Sequence, residues 1–521
     1  MSDVQTVAGP EPPASDEPTG AVRRWAGRTD GALVAAVTVA LALRFWGLGA
    51  QSFWYDEWLT TEAVSGSLPD LARHVANREG ITPPYFVLMW VWARLVGEGE
   101  LALRSFSALA GAATVPVAYA IATTLGQRRR VALAAAFLVA THPLLVWYSQ
   151  EARPYSLLAL LGALSVLTAV QADRTGRRRD VVSWGLVSAA AMAVHYFAIF
   201  LVIGEAAALL ARRRIPPRVL ALATVPVALV LAALAPVAVK QHGHAANRDW
   251  ISTFPLGSRL EDAGQIALVG PSPRFGWLWA GVLVVIVAVG TVTLWRSDGH
   301  HRRVALALGL LGTLGVVLAL AATVVGTDVF LGRYLLASFV PFLVAAAVAL
   351  LGGRWARLGA AAVVIVALTW TATDVAVTRD PRLQRADWRG VAHAVADDAP
   401  GVLVVDTTGG LSSPLAHYLP GATTLDAEGT VTTDRIDVLV ARPAEAPCNF
   451  YVGRACAFVF LGRPLTGPVA EQFRLDDRGG REVLDQFVVE HYRSDRPVEL
   501  DLHDLVPAGS GGSVWVVPGT P

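Results

Sequence analysis

Trp54-Tyr55-Asp56-Glu57-Trp58 sets two adjacent carboxylates among aromatic rings, a few residues beyond the first long apolar run, 31–49. An aromatic belt at a membrane interface accounts for Trp54, Tyr55 and Trp58. It does not call for paired acids at the lipid boundary, where unpaired charge is costly. A second stretch of the same kind is Ser149-Gln150-Glu151-Ala152-Arg153-Pro154-Tyr155. Pro154 suits the first turn of a helix. Arg153 beside it can hold a phosphate through two parallel hydrogen bonds, or snorkel to lipid headgroups, or pair with Glu151. Gly332-Arg333-Tyr334 repeats the Arg-Tyr arrangement, and Arg104 is a further single arginine at a span end. His195-Tyr196 sits between two apolar runs, where a histidine is more often packed than a ligand. His242 and His244 read as residues of a solvated loop.

What must position these groups is a set of membrane helices. The chain has 521 residues, 54% of them hydrophobic, and a mean hydropathy of +0.47. Apolar runs of about 20 residues recur along it, as spans require. Forty-three basic and 42 acidic residues leave a net charge of +1, which argues against a nucleic-acid partner. Arg23, Arg24 and Arg28 precede the first run, so the N-terminus is expected in the cytoplasm, with residues 1–29 a disordered tail. Arg128–130, 174–179, 212–218, 296–303 and 354–357 then alternate with the apolar runs in a way that fits eleven spans. Residues 59–65, 68–78 and 85–96 read as helices lying along the interface in the first outer loop. Residues 240–274 read as a long outer loop.

After residue 374 the composition changes to that of a water-facing fold. Asp387-Trp388 opens an amphipathic helix to Ala396, and 402–405, 438–441, 458–461 and 514–517 read as short buried strands. The expected architecture is therefore a polytopic helical domain over 30–374 followed by a small extracytoplasmic α/β domain over 375–521. An outer location suits a disulfide between Cys448 and Cys456.

This topology brings Asp56, Glu57, Arg104, Glu151, Arg153, Tyr155, His195, Tyr196, Arg333 and Tyr334 to the outer face. Acids and arginines together suit transfer of a sugar from a phosphate. Asp56 or Glu57 can deprotonate an acceptor hydroxyl, Arg104, Arg153 or Arg333 can stabilise the departing phosphate, and Trp54, Tyr55 and Trp58 can stack on sugar faces. Outside the cell no nucleotide sugar is at hand, so a lipid-linked donor fits.

The chain resembles the polytopic GT-C glycosyltransferases that use polyprenyl-phosphate sugars, above all the bacterial protein-mannosyltransferase-like and aminoarabinose-transferase-like group. The matching pieces are Trp54-Tyr55-Asp56-Glu57, Thr82-Pro83-Pro84-Tyr85, Leu103-Arg104-Ser105-Phe106-Ser107-Ala108-Leu109, His142-Pro143, the run 148–155 and Arg333-Tyr334. Their order and spacing agree over roughly residues 30–350. Asp387-Trp388-Arg389 also looks like actinobacterial members described as mannosyltransferases. The resemblance implies the GT-C fold, an inverting transfer with Asp56 as general base, and loop arginines, with Tyr155 and Tyr334 beside them, on the donor phosphate. His195, Tyr196, Glu151 and the aromatic residues of the first loop would line the substrate site. Some members hold a divalent metal, Mg or Mn, and others do not. The implied location is the plasma membrane, with a sugar such as mannose moving from the lipid donor to an envelope glycan, glycolipid or protein. Arabinofuranose from decaprenyl-phosphate-arabinose is the alternative sugar. A transporter or lipid-linked glycan flippase is the alternative of another class, although it would place ionisable groups near the bilayer midplane. An envelope-polymer ligase or polymerase would leave Asp56-Glu57 unexplained.

Overall fold

The computed structural model describes residues 30–78, 83–242, 251, 255–270, 276–325, 330–380, 383–396, 400–405, 414–425, 429–441, 468–476, 480–484, 487–505 and 513–518. The N-terminal tail, Cys448, Cys456 and the expected strand at 458–461 lie outside them.

Apolar periodicity yields helices through residue 379. They are α1 (Gly31–Phe45), α2 (Tyr55–Ser65), α3 (Leu68–Arg78), α4 (Pro83–Val96), α5 (Glu100–Thr124), α6 (Arg129–Thr141), α7 (Pro143–Ser149), α8 (Tyr155–Thr175), α9 (Arg178–Val194) and α10 (Ala198–Arg212). Then come α11 (Pro217–Ala223), α12 (Val225–His242), α13 (Leu256–Val269), α14 (Gly276–Trp295), α15 (Gly299–Val324), a 3-10 turn at Gly332–Leu335, α16 (Leu336–Leu351) and α17 (Ala356–Arg379). Among the described residues six helical segments are long and apolar enough to cross a membrane, and the bent pair α6–α7 makes a seventh. Gly31–Phe45 and Leu283–Trp295 are apolar but shorter. The run read as one span over 131–147 is broken at His142-Pro143 by 53°, because a proline cannot continue the hydrogen-bond ladder and instead starts a new helix. The region read as an outer loop over 240–274 contains α13, a further departure.

The two ends of the bundle differ. At one end the arginine-rich turns meet: Arg129 pairs with Asp30 at 2.5 Å, Arg212 with Asp173 at 3.1 Å, and Arg174 donates to the Thr124 carbonyl. At the other end lie the α1–α2 connection, the heads of α5, α8 and α16, and the α9–α10 turn. α16 is the central helix, with 72% of its apolar window buried against 17% for Pro217–Val239. Arg333 and Tyr334 stand just before its first turn.

Close approach of α5 to the α7 turn depends on Gly111. A Cβ there would overlap Ser149 Oγ and lie 2.8 Å from Arg44 Nε. Buried Arg44 donates to Ser149 Oγ at 3.2 Å and to the Ala140 carbonyl at 2.8 Å, so the turn is held from α1 across that gap. Gly111→Ala is expected to cost about 1–3 kcal/mol, as overpacking does. Thermal unfolding in detergent reads it, and an unchanged midpoint would count against this packing role.

Helices α2–α4 have a small core of their own. Phe53, Val64, Leu71, Tyr85, Phe86 and Met89 pack with Leu103 of α5 and Ala152 of the α7–α8 turn. Beyond α17 come α18 (Trp388–Val395), β1 (Gly401–Val405), α19 (Leu415–Tyr418), β2 (Thr423–Leu425), β3 (Thr430–Ala441), α20 (Pro468–Gln472), β4 (Arg474–Leu475), β5 (Arg481–Val483), β6 (Phe487–Asp501), α21 (Leu502–Leu505) and β7 (Ser513–Val517). The strands form one seven-stranded sheet in the order β2-β7-β1-β3-β6-β4, with β5 also on β6. Only β1–β3 is a parallel pair, with Val402 opposite Ile436; the others run antiparallel. Asp387 caps α18 by accepting from the Gly390 amide at 3.0 Å. Trp388, Val391, Ala392 and Val395 of that helix pack on Leu403, Leu439, Val489 and Trp515 of the sheet.

Candidate active site

The adjacent acids open α2. Asp56 and Glu57 occupy its first turn, where unpaired backbone amides and the helix dipole favour carboxylates. One residue apart on a helix, they point in different directions, and the structure gives them different surroundings.

Glu57 is fully buried. Its Oε1 accepts from Arg104 Nε and from the Ala152 amide, each at 2.8 Å, and its Oε2 accepts from Arg104 Nη2 at 2.6 Å. Burial alone would push the Glu57 carboxyl up, but the charge and hydrogen bonds of Arg104 outweigh it and hold the group below the usual glutamate range. Arg104 also donates to the carbonyls of Leu48, Gln51 and Ser52. A guanidinium has five N–H groups, and these five bonds use all of them. In this structure the Arg104–Glu57 pair clamps the turn that leads into α2.

Asp56 has a different environment. Its side chain is 16% exposed, and Oδ2 accepts from Arg333 Nη1 at 3.2 Å. Arg153 Nη1 donates to the Asp56 carbonyl at 2.9 Å and to Thr60 Oγ1 at 3.4 Å. The Arg333 guanidinium lies over the rings of Tyr155, at 5.6 Å, and Tyr334, at 5.3 Å. His195 lies 6.0 Å from Tyr155 and 5.6 Å from Tyr334, centroid to centroid, and Phe197 stacks on Tyr334 at 4.5 Å. Asp56, Arg153, Tyr155, His195, Arg333 and Tyr334 thus come together from four separate parts of the chain. Tyr196 is half-buried, and among the described residues no ring contact joins it to this cluster. Tyr55 and Trp58 pack on each other at 5.8 Å, and Trp54 and Trp58 are buried.

Glu151 is buried too, with Oε1 accepting from Arg385 Nη2 at 2.7 Å. Burial pushes its carboxyl up, against the pull of Arg385. Arg385 also lies over the Trp147 ring at 4.1 Å and donates to Gln51. It was not singled out from the sequence. Asp262 was missed as well: it comes from α13 to line, with Tyr148, Ile266 and Gly332, a narrow cleft beside Arg333. The only signal for either was local, an amphipathic pattern within 256–269 and an Arg just before Asp387-Trp388.

Arg104, Arg153, Arg333 and Arg385 stand against Asp56, Glu57, Glu151 and Asp262, four guanidiniums to four carboxylates. Among the described residues no three His, Cys, Asp or Glu side chains gather as a metal-holding set. Asp56, Glu57 and Glu151 are each already engaged by an arginine, so these residues present no ligand set for Mg or Mn and no step below is routed through a metal.

Residues 81–239 match the family described as Dolichyl-phosphate-mannose-protein mannosyltransferase. No curated protein matches the chain. Among solved structures, ArnT from Cupriavidus metallidurans bound to undecaprenyl phosphate is 15% identical, with a TM-score of 0.45 over 71% of this chain and 69% of that one. An oligosaccharyltransferase from Archaeoglobus fulgidus in complex with Zn and sulfate is 14% identical, with a TM-score of 0.41 over 69% and 54%. The Pmt1-Pmt2 protein O-mannosyltransferase complex of S. cerevisiae is 18% identical, with a TM-score of 0.31 over 42% and 33%. The family match runs from the start of α4 through the segments that supply Arg104, Glu151, Arg153, Tyr155 and His195.

Proposed function

We propose that the protein is an inverting transferase that moves mannose from a polyprenyl phosphate to an acceptor of the cell envelope, a glycan, glycolipid or protein, on the outer face of the plasma membrane. In this reading the chain crosses eleven times with its N-terminus inside, and residues 375–521 form an extracytoplasmic α/β domain. The observation that carries it is the Asp56 carboxylate, partly open to solvent and flanked by Arg333 at 3.2 Å and by Arg153 on its own backbone carbonyl. That juxtaposition supports a reading in which a base and phosphate-binding cations share one small surface.

The chemistry follows from these parts. Asp56 takes the proton of the acceptor hydroxyl as its oxygen attacks the anomeric carbon. The bond from that carbon to the phosphate oxygen breaks, and the polyprenyl phosphate leaves with the electron pair. Arg153 and Arg333 stabilise the charge that collects on it. The sugar configuration inverts because attack and departure occur on opposite faces. The lipid tail enters sideways between spans, and Tyr155 and Tyr334 keep the Arg333 guanidinium in place by stacking.

The purified protein in detergent, given radiolabelled polyprenyl-phosphate mannose and an envelope acceptor extract, is expected to transfer label. Transfer from polyprenyl-phosphate arabinose alone would replace the sugar and keep the class. Transfer from neither donor would overturn the reading. Arg333→Ala is expected to weaken donor binding about 10- to 100-fold, the loss of a charged hydrogen-bond partner. Donor titration checks this, and unchanged affinity would remove Arg333 from the phosphate site.

A further inference from the structure

The segment in front of Asp56 is held from two sides. Arg104 holds the carbonyls of Leu48, Gln51 and Ser52 from α5. The opposite side is held by residues that follow the last membrane helix. Ser52 Oγ donates to the Ala386 carbonyl at 2.8 Å and accepts from the Trp388 amide at 3.0 Å. The Arg385 amide donates to Gln51 Oε1 at 3.1 Å, and Arg385 Nη2 donates to Glu151 at 2.7 Å. Arg389 donates to the Ala50 carbonyl at 2.5 Å and to Glu100 at 3.2 Å.

Tyr418 adds the contact nearest the site. The Phe53 amide donates to its Oη at 2.6 Å, and the same hydroxyl donates to Glu100 Oε1 at 2.9 Å. Phe53 is fully buried and also meets the His417 ring at 5.2 Å. Two residues separate Phe53 from Asp56, and α2 starts at the second of them, Tyr55. A buried amide without its acceptor is costly, so the register in which α2 begins depends on a hydroxyl from the C-terminal part of the chain.

We propose that Tyr418 and Arg385 are positioning residues for the transfer: the C-terminal part of the chain completes the catalytic loop by fixing residues 49–53 and, through Glu151, the turn that carries Arg153. This extends the reading of Asp56 as base and rests on it for its kinetic consequence. The C-terminal part is then required for turnover itself. Neither residue touches substrate; they act through the loop, so their loss lowers kcat and leaves the affinity for the lipid phosphate, which Arg153 and Arg333 set, nearly unchanged.

The test is Tyr418→Phe, which keeps the ring and removes the acceptor, in the full-length protein in detergent. Two measurements are made on it: kinetics with the polyprenyl-phosphate donor, and hydrogen exchange over residues 48–58. The expected result is a kcat about tenfold lower, the equivalent of one lost hydrogen bond, with donor KM within twofold and faster exchange confined to 48–58. Arg385→Gln should behave in the same direction, and Arg385→Lys should restore part of kcat by keeping the charge beside Glu151. Unchanged exchange over 48–58 in both Tyr418→Phe and Arg385→Gln overturns the proposal whether or not the wild type transfers sugar. Unchanged kcat in a wild type that does transfer overturns it as well. A wild type that transfers nothing from either donor defeats the functional reading alone, and the exchange measurement still decides this one.

Discussion

Asp56→Asn is expected to lower kcat about 10²- to 10⁴-fold, the usual contribution of a positioned general base, while the protein keeps its fold and its affinity for polyprenyl phosphate. The amide has nearly the shape of the carboxylate and its oxygen can still accept from Arg333, so the contact at 3.2 Å has a neutral substitute. What the amide lacks is the ability to take a proton at neutral pH. Donor binding loses little, because removing one negative charge beside Arg153 and Arg333 leaves the site more positive toward a phosphate. The measurement is single-turnover transfer with radiolabelled donor alongside donor titration. Normal turnover would remove Asp56 from the chemistry. Turnover lost together with donor binding would mean that the acid orients Arg333 and that the proton goes elsewhere.

The residues of this site were legible from the chain to the extent that they stand at span ends. Once apolar runs and arginine clusters assign each end to a side, the single polar residues at the opposite ends must share a surface. Asp56, Arg153, Tyr155, His195, Arg333 and Tyr334 meet for that reason. Their order along the chain says nothing of which partners each arginine meets. Arg104 and Arg333 look alike in sequence, each a lone arginine at a span end. They differ because the turn at 48–52 presents three carbonyls and Glu57 to Arg104, an arrangement of long-range geometry. Arg385 was invisible for a related reason: its partner Glu151 lies 234 residues earlier. The sheet was read in part, since β1 and β7 are short apolar runs. β6 was missed because its alternating charges, such as Glu490 and Arg493, hide a half-buried strand. Helix α13 was hidden within a stretch whose polar residues read as loop.

Glu57→Gln, one residue away, is expected to do the opposite of Asp56→Asn: it should cost about 3–5 kcal/mol of stability, the usual price of breaking a buried ion pair by removing one partner. The Arg104 side chain is 1% exposed and Glu57 is fully buried, so no water can replace the lost carboxylate. Arg104 would keep its three carbonyls and still carry its charge, with only a neutral amide opposite. The turn at 48–53 then loosens and the start of α2 with it, so activity falls as a consequence of disorder. The thermal midpoint in detergent measures the loss. Replacing both partners, Glu57→Gln with Arg104→Met, should recover part of it, because the uncompensated charge is gone, although the three carbonyls lose their donor. The contrast between neighbours is the decisive reading: a stable, inactive Asp56→Asn beside an unstable Glu57→Gln assigns chemistry to the first acid and architecture to the second. A stable, inactive Glu57→Gln beside an active Asp56→Asn would reverse the roles and would require the Arg104 clamp to open during catalysis.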